Sequence, residues 1–84
     1  MNIELRDGNL AINESLTIED VKDAWNLILK NLSEIKTVDL NGLKDLDLAG
    51  MQVLLMLVHL KQDIKFIMPP TQGDPRFVLY SSNN

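Results

Sequence analysis

Eighty-four residues, 45% of them hydrophobic and 24% charged, suffice for one compact domain spanning residues 1–84 and leave no room for a second core. That apolar content is too high for a disordered chain. A net charge of -4 repels phosphate backbones and anionic membrane surfaces, so nucleic acid is not an expected partner, and the absence of cysteine rules out disulfides, thiolate metal sites and cysteine nucleophiles.

The charge is uneven. Residues 1–47 carry ten acidic and five basic side chains, whereas residues 48–84 carry two acidic and three basic, so a charge-steered partner meets the acidic half. The opening, MNIELRDG, lacks the basic start and apolar run of a signal peptide, and the apolar run at residues 48–60 is too short to cross a bilayer. A cytoplasmic protein with no direct membrane insertion is expected.

In chain order, Ile3, Leu5, Leu10 and Ile12 alternate with polar neighbours on either side of Asp7-Gly8, a dipeptide suited to the positive φ angles of a tight hairpin turn. Two antiparallel strands are predicted. Thr17, followed three residues later by Asp20, has the spacing of a capping box in which the hydroxyl accepts from a free N–H of the first helical turn. From there Ile18, Val21, Trp25, Ile28, Leu29 and Leu32 fall on one stripe at 3.6-residue spacing, with Glu19, Asp20, Asp23, Lys30 and Asn31 pointing away. Trp25, central in that stripe, reads as core.

A strand is predicted over residues 37–41, where Val38 and Leu40 alternate with Asp39 and Asn41, and Gly42 ends it. An acidic loop through Lys44, Asp45, Leu46 and Asp47 then leads into a helix over residues 48–60, with Asp47 placed to cap it. Gly50, Val53, Leu54, Leu57 and Leu60 define its core face, while Leu48, Gln52, Leu55, Met56 and His59 share the opposite one, where a solvated helix would carry charge. A last strand over residues 64–68, a short helix over residues 74–80 opened by Asp74-Pro75, and a frayed end at residues 81–84 complete the chain. The order β-β-α-β-α-β-α contains two βα crossovers, which predict an α/β fold with a mixed, mostly parallel four-stranded sheet and helices packed on it.

Asp39, Asp45 and Asp47 are the raw material for catalysis, because carboxylates near the carboxyl end of a strand can hold Mg²⁺ or act as an acid–base pair. No phosphate-cradling glycine loop, no serine beside a histidine and no metal-ligand spacing accompanies them, and His59, the only histidine, has no partner ligand at helical spacing. A structural or capping role is expected for all of them, with no catalytic, cofactor or metal site.

The strand VDLNGL, the loop KDLD and the helix start LAGMQVLL together resemble the STAS domain family, the anti-sigma-factor antagonists. The family's hallmark is an apolar strand, then Asp, a small hydroxyl residue, a small residue, Gly, an aliphatic residue and a run of leucines; here it reads Asp47-Leu48-Ala49-Gly50-Met51, with Gln52 fitting a common variant. The likeness extends over residues 3–80. It implies a non-enzymatic module that binds a partner protein through Asp47, Leu48, Ala49, Gly50, Met51 and Gln52, the partner being an anti-sigma-type serine kinase or another signalling or transport ATPase. An accessory subunit of a lipid or solute transporter is the alternative within the family, and a small Mg²⁺-dependent phosphatase on Asp39, Asp45 and Asp47 the alternative outside it.

The sequence departs from the pattern at two places. Leu48 stands where phosphorylatable members carry Ser or Thr, so phosphate cannot be added there to break a complex. The closing helix is also short, which would leave an apolar strip uncovered and favour a permanent partner or a homodimer.

Overall fold

The computed structural model describes residues 2–68. The chain opens with β1 (Asn2–Arg6) and β2 (Asn9–Leu16), joined by the Asp7-Gly8 turn with φ of 52° and 84°. Both central positions have positive φ, the turn geometry that matches the twist of the flanking strands, and glycine adopts the second without steric penalty. Helix α1 (Val21–Lys30), β3 (Thr37–Asp39), β4 (Leu43–Leu46), α2 (Leu48–Leu60) and β5 (Lys65–Ile67) follow, with a 3₁₀ turn at Leu32–Glu34 between α1 and β3.

The five strands form one mixed sheet. β1 pairs antiparallel with β2, and the β2–β3, β2–β4 and β3–β5 pairs are parallel. Ile3, Ile12, Leu5, Leu10, Val38 and Phe66 are register neighbours on one face, and the helices bury that face. The opposite face is mostly polar, as in Arg6, Asn9, Thr37 and Lys65. Leu10, Ile12, Leu16, Ile28, Leu40 and Leu57 are all completely buried and anchor a single core.

The sheet has five described strands rather than the expected four, because residues 43–46 are strand and not loop. β2 is long enough to pair twice, residues 9–11 with β3 and residues 14–16 with β4. Between these pairings the Glu14 N–H donates to the Gly42 carbonyl at 2.9 Å. The register passes from Glu14↔Leu43 to Ser15↔Asp45, so Lys44 is an extra residue in β4. That bulge turns both Leu43 and Leu46 into the core, erasing the alternation by which a strand is recognised.

Four further expectations are corrected. α1 begins at Val21, and the Thr17 hydroxyl does not accept from a helical N–H; it donates to Asp20 Oδ2 at 3.1 Å, alongside the Thr17 N–H and Ser15 Oγ, both at 2.9 Å. Asp20 thus closes a polar turn that delays the helix. Ile18, within that turn, and Leu29, at the stripe's margin, are exposed, while Ala24 is completely buried in the core. Leu60 is 47% exposed because α2 ends there, past the core. The third and last strands are shorter than expected, ending at Asp39 and spanning Lys65–Ile67. The helix expected over residues 74–80 and the frayed end at 81–84 lie outside the described residues.

Candidate functional site

The end of β4 delivers Asp47 to the start of α2 in extended conformation, φ -105° and ψ -176°, with its carboxylate folded over the first helical turn. Oδ1 accepts from the Gly50 N–H and Oδ2 from the Ile18 N–H, each at 2.9 Å. One oxygen therefore caps α2, as expected, and the other ties the helix to the turn before α1. These donors, Gly50 foremost and then Ile18, hold the Asp47 carboxyl below its ordinary value of 3.8. For Asp20, burial pushes the carboxyl up, but the Thr17 N–H and the Ser15 and Thr17 hydroxyls outweigh it and leave a net lowering from 3.8.

Gly50 is buried where α2 crosses β2, and a Cβ there would run into the Leu16 carbonyl. This contact lets the first turn sit directly on the sheet. It also fixes which residues look outward. Leu48 is 68% exposed, and Gln52, Leu55, Met56 and His59 are exposed on the same side of α2. Met51 is half-buried against the core, and Ala49 is half-buried. Of the six residues singled out in the sequence, Leu48 and Gln52 offer side chains to solvent, whereas Asp47 and Gly50 hold the turn in place.

The three carboxylates considered for catalysis are not gathered. Asp39 Oδ1 accepts from the Asn41 N–H at 2.9 Å, closing a local turn; Asp47 caps the helix; Asp45 points to solvent. Among the described residues no three Asp, Glu or His side chains meet in an arrangement that could hold a metal ion. No helix among them is long and apolar enough to cross a membrane.

Ile18 is, like Leu29 and Leu60, a residue that periodicity misplaced. At 70% exposure it is the most exposed large apolar side chain described, and its own N–H is bound to Asp47. The Asp20 carboxylate closes the turn over the Thr17 N–H and α1 begins only at Val21, which leaves Ile18 ahead of the helix rather than within its apolar stripe.

The Asp47 carboxylate implies a pH dependence that can be measured. An aspartate that ionises more readily folded than unfolded contributes stability in full above its ordinary value and loses it as pH falls through the lower folded value. With Asp20 and Asp47 both lowered from 3.8, the thermal midpoint should stay level from neutral pH down to about 5 and fall below about 4. Asp47→Ala should lower the neutral-pH midpoint by about 5 °C and soften the acid decline, both read by circular-dichroism melts across pH.

No protein-family model matches the chain, and neither a curated protein nor a solved structure matches it.

Proposed function

We propose that this is a non-enzymatic signalling or regulatory interaction module of the STAS, anti-sigma-factor-antagonist type, which docks a partner protein through the start of α2 and carries no phosphorylation switch at the usual position. The observation that carries this reading is Leu48, an apolar side chain held 68% exposed at the first position of a helix whose entry is fixed by Asp47 and Gly50. An isolated exposed leucine is ordinary. Leu48 is not isolated, since Ile18 flanks the same capping carboxylate and Leu55 and Met56 continue along the helix. With leucine in place of a hydroxyl residue, the contact is constitutive. The partner class is an anti-sigma-type serine kinase or another signalling or transport ATPase.

The test is co-purification from the native cell with Leu48→Glu beside the parent chain. The parent should retain an ATPase-type partner and the variant should lose it by about 30-fold or more, the size of a central interface contact, with an unchanged melting curve. Undiminished capture by the folded variant would move the docking surface elsewhere. Whether the retained ATPase belongs to a transporter or to a kinase-like regulator decides between the two settings of the module.

A further inference from the structure

The net charge of the described residues is biased along the strand direction. The parallel strands and crossover helices place the carboxyl ends of β2 and β4 and the starts of α1 and α2 together, with Asp47 bonded to Ile18 across them. Glu14, Glu19, Asp20, Asp23, Asp45 and Asp47 all belong to this end, six carboxylates against the two ammonium groups of Lys22 and Lys44. At the other end Lys36 N–H donates to the Gly8 carbonyl, Lys65 N–H to the Lys36 carbonyl, and Lys61 Nζ to the Leu32 and Ser33 carbonyls. Arg6 and Lys30 end their elements there too, so five basic side chains stand beside Asp7, Glu34 and Asp63 and the balance at this end is basic. The two most exposed large apolar residues described, Ile18 and Leu48, therefore stand in the acidic end.

We propose, resting on the docking reading above, that Ile18 and Leu48 form a paired apolar contact received by a partner protein whose apolar socket is rimmed by Lys or Arg. Glu14, Glu19 and Asp45 are exposed and available to such a rim, whereas Asp20 and Asp47 accept hydrogen bonds from their own domain. The apolar pair supplies persistence of the complex. The carboxylates supply steering and the exclusion of wrong partners. Nucleic acid and anionic membranes are repelled by the same charges. A second copy docking end to end would bring like carboxylates together, which disfavours a two-fold dimer through this surface.

The experiment titrates two synthetic amphipathic helical peptides of about 14 residues, with one leucine face in common and either lysine or glutamate opposite, into the ¹⁵N-labelled full chain. The lysine peptide should shift the amide signals of Ile18, Leu48 and Gln52, and its Kd should rise about tenfold between roughly 50 and 200 mM salt. The glutamate peptide should leave those signals in place. Ile18→Glu and Leu48→Glu should each abolish the shifts, with Ile18→Gln and Leu48→Gln as the uncharged pair should a glutamate perturb the fold. The double reversal Glu19→Lys with Asp45→Lys should transfer the preference to the glutamate peptide.

Equal binding of both peptides, or shifts centred on Lys36 and Lys61, would overturn the proposal. So would concentration-dependent shifts at Ile18 and Leu48 without peptide, which would assign the surface to a second copy. A native partner lost on Leu48→Glu but held equally at low and high salt would keep the docking reading and remove the basic rim. A partner indifferent to Leu48→Glu would remove both.

Discussion

Gly50→Ala should lower the thermal midpoint by roughly 10 °C, against the ordinary expectation for a glycine inside a helix. Elsewhere the change gains about 1 kcal/mol, since alanine loses less conformational freedom on folding. Here the added Cβ would overlap the backbone carbonyl of Leu16 and crowd the Leu46 side chain. A flexible side chain could swing aside, but the Leu16 carbonyl is backbone of the β2 stretch paired with β4, where Leu16 stands opposite Leu46, and it cannot. The helix must lift, drawing Val53, Leu54 and Leu57 away from the sheet they are buried against. Overpacking of this kind costs about 1 to 3 kcal/mol, and the loss of helix–sheet contact places the net effect near 2. Circular-dichroism melts of Gly50→Ala beside Gln52→Ala, an exposed site in the next turn, separate crowding from propensity. A stabilised Gly50→Ala would mean that α2 stands further from β2 than described.

Leu57→Ala and Leu55→Ala should differ as sharply as two substitutions in one helix can. Leu57 is completely buried and Leu55 is 51% exposed. Truncating the first leaves a cavity in the core and should cost about 2 to 5 kcal/mol, while truncating the second should stay within about 0.5. A domain of this size has about 4 to 12 kcal/mol of stability in all, so the first change consumes much of it. Urea titration gives both values from the same helix. A similar loss at the two positions would rotate α2 away from the orientation described.

The sequence revealed those features whose signals are local and unbroken. Asp7-Gly8 between two alternating runs pointed to the hairpin found there, and the apolar run closed off by Lys61, Gln62 and Asp63 marked α2 to its observed bounds. Asp47 was legible as a cap because its side chain acts within its own turn. Other features depend on distant partners. β4 escaped because the extra Lys44 cancels its alternation, and its identity as a strand rests on residues 14–16. Ile18 and Leu29 were assigned to the core because periodicity gives a stripe without its margins, and what lies beside α1 is set by α2 and the sheet. Of the candidate surface, the exposed face of α2 was readable in its composition. The second half of the apolar pair was not, since the Ile18–Asp47 bond spans 29 residues.

The helical layer is clasped at both extremities by single side chains. Asp47 fastens the entry of α2 to the backbone before α1, and the Lys61 ammonium, 3.0 Å from the Leu32 carbonyl oxygen and 3.1 Å from that of Ser33, fastens its exit to the backbone after α1. Scissoring of the two rods is thereby restrained about either pivot. A visiting protein pressing on Leu48 would meet a plate already set in shape, so little freedom remains to be surrendered on contact and more of the gross attraction survives as affinity.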